Sequence, residues 1–422
     1  MKKISGILMA LALLAGCAGK KTSVENATAD GLSKPLDNLF AFFDNNSYND
    51  SLGVYFSEVD NAGKLLSEKV FTVAHDRLIY GLSYTSDQHP ERLAKAKRMY
   101  AFQKENLIGN DSLGLFSHSF SEKGMNPKTE ILDVWQQAYG MCGLAELYRK
   151  TGDKQLLETI HGLHKGFINR FHDDIRGGFW GEYHRKNGPV EGSKSLQSLM
   201  YPITAYMANL WLADKENRNL YEPYLTENLA LLAKNAWNDG RGWVNVKFDD
   251  NWNPCESQGE KPCFTVTPGH NFQLSALLQR TKDFGFLPAS LCSEYTALGR
   301  KILDVTMRKP VFDETVKQGF FSEINPATDS VLDKRKTWWQ HAEAVIALTL
   351  AGDGHKNEAD KIKAFFFDKF QDYENGGEYF YISEDDVPHS QEMKGSIGKS
   401  TYHTIELVRF LRESSLKKEA KQ

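Results

Sequence analysis

Gly177-Gly178-Phe179-Trp180-Gly181-Glu182-Tyr183 reads as a short Gly-aromatic hairpin, and its importance is that the pattern returns. Gly114-Leu115-Phe116-Ser117, Gly240-Arg241-Gly242-Trp243-Val244, Gly319-Phe320-Phe321-Ser322-Glu323-Ile324 and Gly376-Gly377-Glu378-Tyr379-Phe380-Tyr381-Ile382 belong to the same series. Successive starts are mostly about sixty residues apart, the length of two helices with their connections. Recurrence on that scale predicts one architecture built from a repeated unit.

The stretches between the hairpins carry helical patterns. The one over 131–150 ends at Thr151-Gly152-Asp153, a clear stop signal. Others run over 36–43, 70–83, 91–105, 156–171, 196–212, 225–237, 267–280, 291–307, 338–350, 359–370 and 402–411. Some, such as 338–350, are apolar nearly all round, whereas others keep a charged face. Two such classes in alternation are what concentric rings of helices need, the inner ring being buried on both sides. The expected fold is all-α, an (α/α)6 toroid with short β-hairpins at the rim over a central cavity. No linker or composition shift divides it, so residues 34–415 read as a single domain and 416–422 as a charged tail.

The chain has 422 residues, a quarter of them charged, and a net charge of −4, with lysine and arginine scattered. Nothing in that balance calls for nucleic acid. The aromatic content of 12% suits sugar rings as well as cores. Lys2 and Lys3 followed by an apolar run over 7–14 read as an export signal, too short to span a membrane. Leu14-Ala15-Gly16-Cys17 resembles the lipobox of bacterial lipoproteins. That resemblance implies cleavage before Cys17, lipid on its sulfur, and a flexible tether over 18–33. The expected location is the cell envelope, facing the periplasm, with the outer membrane favoured over the inner, and membrane contact through the lipid only. In that oxidising compartment Cys255 and Cys263, flanking a polar loop, are the plausible disulfide, and Cys142 and Cys292 read as buried thiols.

Three segments offer chemistry. In Thr267-Pro268-Gly269-His270-Asn271-Phe272-Gln273 a turn delivers His270 into the first turn of an apolar helix, where the dipole and free N–H groups disfavour an imidazolium. A neutral imidazole is the form a general base needs. In Trp338-Trp339-Gln340-His341-Ala342-Glu343, Trp339 and Glu343 share a helix face, as do Trp338 and His341, and a carboxylate on so apolar a helix must find a partner. In Lys399-Ser400-Thr401-Tyr402-His403, the histidine starts the last helix.

Taken in order, Pro268-Gly269-His270-x-x-Gln273, Trp338-Trp339-x-x-x-Glu343 and Lys399-x-x-Tyr402-His403 resemble motifs of the N-acylglucosamine 2-epimerase superfamily, which includes mannose isomerases and cellobiose 2-epimerases. The likeness extends over most of the chain, through Asp133-Val134-Trp135-Gln136-Gln137-Ala138-Tyr139 and the stretch 145–153. It implies an (α/α)6 barrel acting on a mono- or disaccharide without cofactor or metal. His270 and His403 would be the proton-transferring pair, and one of Trp338 and Trp339 would stack on the sugar. Glu343 would hold a hydroxyl or orient a histidine, and His75 or Arg77 would touch a substrate oxygen.

Two departures accompany the likeness. Gln273 stands where the family usually has Glu, and an amide positions a histidine without raising its basicity. Gln197, Leu199 and Tyr201 stand where relatives bring an Asn and histidines, so Gln197 and Tyr201 are the expected contacts there. Two other readings follow. Glu182, Glu323 and Glu378 in the hairpins would serve a glycoside hydrolase with paired carboxylates, and a homologue that binds sugar without chemistry would keep only the cavity. His161 and His164, three apart on a helix, lack a third metal ligand nearby.

Overall fold

The computed structural model describes residues 24–256, 264–312, 319–389 and 391–419. Helices alternate between an outer and an inner layer. In chain order they are α1 (Val24–Asn46), α2 (Thr72–Tyr84), α3 (Pro90–Asn106), and α4 (Val134–Tyr139, resumed as Cys142–Thr151). Then come α5 (Lys154–Phe171), α6 (Leu196–Tyr201, a π-helical turn Pro202–Met207, then Ala208–Ala213), α7 (Glu222–Asn235) and α8 (Pro268–Arg280). The last are α9 (Ala289–Thr306), α10 (Trp338–Ala351), α11 (Lys356–Phe365 with a π turn Phe366–Phe370) and α12 (Tyr402–Glu419).

Burial separates the layers. Every residue of α2 from Thr72 to Ser83 is buried, whereas α3 buries only Arg92, Ala96, Met99 and Gln103, one stripe at helical spacing. The outer helix α9 likewise buries Cys292, Tyr295, Gly299, Ile302, Leu303 and Thr306. The even-numbered helices thus form the inner ring and the odd-numbered ones its jacket. The mostly helical toroid read from the repeat is the architecture found.

A ring of short antiparallel pairings ties the hairpins together. Lys69–Phe71 pairs with Phe120–Glu122, and Ile131–Asp133 with Glu182–His184. Ser195 bridges to Lys247 and Val266 to Ile324. Lys336–Thr337 pairs with Tyr381–Ile382, and Met393–Gly395 returns to Val59–Asp60. Each segment leading into an inner helix therefore meets the hairpin that follows the next outer helix, and the last pairing closes the circle. The glycines of the repeat serve these turns: Gly177 and Gly178 have φ of 73° and 70°, where a Cβ is strained. A further hairpin, Tyr48–Asn49 with Val54–Tyr55, belongs to the series but has Val54 rather than an aromatic after Gly53, which hid it from the repeat.

Several boundaries differ from expectation. Residues 131–133 are strand, and Asp133 starts α4 by accepting the Gln136 N–H at 2.8 Å. The break at Gly140 is bridged from α2: the buried Asp76 carboxylate accepts the N–H groups of Gly143 and Leu144 and caps the resumed helix. α1 extends back to Val24, into the stretch read as a tether, and α12 forward to Glu419, into the residues read as a tail. Arg412 donates to Ser33 Oγ at 3.3 Å, so the start of α1 and the end of α12 lie together at the face opposite the hairpins. Cys142 and Cys292 are buried thiols. Cys17 and Cys263 lie outside the described residues, and the lipidation and disulfide readings with them. Among the described residues, no helix is long and apolar enough to cross a membrane.

Candidate active site

All six inner helices start at the hairpin rim, so residues near their first turns converge on a cavity of about 330 Å³. Every inner helix contributes: Arg77 from α2, Trp135 and Tyr139 from α4, Tyr201 from α6, His270 and Gln273 from α8, Trp338 and Trp339 from α10, and His403 from α12. Phe380 and the loop residues Ser396, Ile397 and Gly398 complete the wall from the rim.

Local sequence explains these placements. Thr267 has extended backbone and caps α8 by accepting the His270 N–H, while Pro268 takes the first helical position, where a missing N–H costs nothing. Gly269 serves close packing rather than a turn. A Cβ there would lie 2.6 Å from Gln340 Cγ and 2.7 Å from the Trp339 ring, so glycine lets Trp339 lie against the start of α8. Trp339 in turn touches both histidines, its ring 5.5 Å from His270 and 5.9 Å from His403 between centroids. Trp338 stands edge-on to His403 at 5.7 Å and leans on Phe380 at 4.5 Å.

Electrostatics distinguish the two imidazoles. Burial pushes His270 down to about 4, against the pull of the Glu343 charge, and its Nδ1 is buried without a partner. His403 is also lowered, by burial first and by the Arg77 charge, while its bond to Glu343 opposes the shift. The neutral state expected of His270 therefore holds, with desolvation as its main cause. His403 Nδ1 lies 3.1 Å from Glu343 Oε1, and the same oxygen accepts Gln273 Nε2 at 3.1 Å. Arg77 Nη1 donates to the Gly398 carbonyl, and the guanidinium lies over the rings of Tyr139 at 4.1 Å and Tyr402 at 5.0 Å. Its Nε is buried without a partner.

Arg77, not His75, faces the cavity. His75 is two residues earlier on α2 and points the other way, fully buried, its Nε2 2.9 Å from the Met99 carbonyl. Gln197 does not line the cavity either, but hydrogen-bonds Tyr201, which does. The hairpin carboxylates do not converge: Glu182 is exposed, Glu323 half-buried, and Glu378 is sealed in an ion pair with Lys399 at 3.1 Å. Among the described residues no carboxylate lines the cavity, which leaves paired-carboxylate hydrolysis without its groups. His161 pairs with Asp214 at 2.7 Å, and His164 is bonded to Tyr206 and Leu220. Trp135, Tyr139, Phe380 and the 396–398 loop were not foreseen, although the four-residue spacing of Trp135 and Tyr139 signals one helix face.

Comparison with known proteins agrees with this geometry. The family model for N-acylglucosamine 2-epimerase (GlcNAc 2-epimerase) matches residues 196–406, which span α6 to α12 and carry both histidines. A cellobiose 2-epimerase of Ruminococcus albus is 24% identical over 353 residues, covering 78% of this chain and 84% of the relative. Among solved structures, cellobiose 2-epimerase from Spirochaeta thermophila superposes with a TM-score of 0.78 at 17% identity, over 92% of this chain and 97% of that one. A D-mannose isomerase does so with 0.77 at 16% identity, over 94% and 100%. At such identities the structural likeness is one of fold.

Proposed function

The chain belongs to the N-acylglucosamine 2-epimerase family, and from that premise we propose that it moves a proton at C2 of a reducing mono- or disaccharide, giving the C2 epimer or the ketose. The observation that carries the reading is that His270 and His403, far apart in sequence, both lie against Trp339 in one cavity.

The hydrogen bonds support His403 as the first base. His403 carries its proton on Nδ1, facing the Glu343 carboxylate, which leaves Nε2 bare to accept. As the C2–H bond breaks, its electrons form the C1–C2 double bond and negative charge collects on the carbonyl oxygen. Arg77, the cation that lines the cavity, is the group suited to stabilise that charge. The imidazolium formed on His403 is held by Glu343. A proton given to the opposite face of C2 by His270, which must enter this step as the imidazolium against its burial and leaves it neutral, gives the epimer; a proton given to C1, with the hydroxyl proton of O2 passing to O1, gives the ketose. Trp338 and Trp339 supply apolar faces for the sugar.

Incubation with mannose, glucose, N-acetylmannosamine and cellobiose in deuterated water tests the reading. Deuterium at C2 or C1 supports it; cleavage of cellobiose, or saturable binding without exchange, overturns it. The envelope location is a second part of the proposal, supported by the lipobox-like sequence at Cys17. Cys17→Ala should move the protein from the membrane fraction to the soluble one, and unchanged fractionation would sink lipid anchoring.

A further inference from the structure

Beneath the sugar cavity lies a second chamber, reached between α6 and α8. Its existence follows from the helices that border it. The π-helical turn Pro202–Met207 interrupts regular packing along α6, and Ala208 and Ala276 present small side chains across the gap. The space holds about 90 Å³ for the centres of water-sized molecules, and one water needs only about 10–15 Å³ of such space. Its walls carry polar groups, Thr204, Asn209, Arg280 and Glu406. Asn209 and Arg280 are half-buried and Leu212 is 43% exposed, so the chamber opens at the far end of α6 and α8, away from the rim.

Gln273 and Tyr139 line both spaces and form the partition. Glu343 lines only the lower one, yet one of its oxygens accepts from His403. The carboxylate is therefore where the two chambers meet. This matters for any reaction in which one imidazole takes a proton and another gives one. After a turnover the first carries a proton too many and the second one too few, and a bound sugar fills the route through the rim.

We propose that the lower chamber conducts protons between the His403–Glu343 pair and bulk water while the sugar cavity is occupied. The proposal rests on the two-histidine reading. In the outward step the His403 Nδ1–H bond breaks and its electron pair stays on the ring, which becomes the neutral Nε2–H form. The proton joins Glu343 Oε1, then passes to a water in the chamber, leaving the carboxylate as before. Once the product has left, Nε2 gives its proton to water in the sugar cavity and Glu343 returns one from the chamber to Nδ1, which restores the base. Arg280 and Glu406, of opposite charge, flank the path, and Thr204 and Asn209 supply groups to orient the water.

The test reads proton exchange at the imidazoles in the full chain labelled with nitrogen-15 histidine, with the upper cavity filled by saturating cellobiitol, which has no carbonyl to react. In Ala276→Leu, which fills the chamber, and Asn209→Leu, which makes its mouth apolar, solvent exchange of the His403 Nδ1 proton should slow by about tenfold or more. Exchange at His270, which faces the upper cavity, should not change and serves as the internal control. Unchanged His403 exchange in both variants, or equal slowing at both histidines, overturns the proposal. The milder Asn209→Leu keeps the test available should Ala276→Leu lower the melting temperature. Deuterium entry at sugar C2 in the unaltered protein reports separately on the proposed reaction, so failure of one reading is distinguishable from failure of the other.

Discussion

Glu343 shows how much one carboxylate oxygen does at the scale of a residue: it accepts from His403 and from Gln273 at the same distance of 3.1 Å. In the proposed mechanism its charge would stabilise an imidazolium formed on His403, so Glu343→Gln should lower kcat by about a hundredfold, with KM changed little, in steady-state assays. His403→Ala should abolish deuterium entry at C2 from the epimer on which His403 is the base. His270→Ala should keep that exchange yet yield no epimer, because the proton has no donor on the other face. Since burial lowers His403, the acidic fall of kcat/KM for the epimer on which it is the base should lie below the ordinary histidine value of 6.5, read from a pH profile. That His270 and His403 would share one cavity was legible from sequence, because helix starts and motif order point to them. The choice between His75 and Arg77 was not. Two residues on one helix face different ways, and only packing sets the phase of α2 against its neighbours.

Elements were legible where periodicity is strong, and the alternation of outer stripes with buried inner helices follows directly from their apolar patterns. Breaks were not, because their causes are distant in sequence: Asp76 on α2 caps the second half of α4, and no window of α4 contains it. The same holds for Trp135 and Tyr139, whose spacing marks a face without saying that it lines a cavity. Two close contacts between elements yield predictions. In Gly269→Ala the new methyl meets α10 at Trp339 and Gln340, so the variant should lose about 1–3 kcal/mol in denaturant unfolding and most of its activity, as Trp339 is displaced. Lys399 and Glu378, both fully buried, join the last inner helix's approach to the final hairpin. Lys399→Met strands a carboxylate and should cost about 3–5 kcal/mol, whereas Lys399→Met with Glu378→Leu should recover part of that loss.

For the whole molecule, the buried histidines act in concert. Desolvation lowers His75, His164 and His270 to about 4 and His341 to about 3. Below the ordinary value of 6.5 the unfolded chain binds protons that these folded sites refuse, so stability falls as pH drops from 6.5 and levels off below the folded values. Melting temperatures measured between pH 7 and 4 should decline steadily; a flat profile would contradict the burial. The toroid itself could be anticipated from the repeat, but its closure could not, since it depends on Met393–Gly395 finding Val59–Asp60 across nearly the whole chain. The Arg412–Ser33 contact has a practical corollary. That contact lies away from the rim, so a protein coupled to a resin bead or a chip through a side chain beside it presents its mouth outward and keeps the cavity's approach unobstructed.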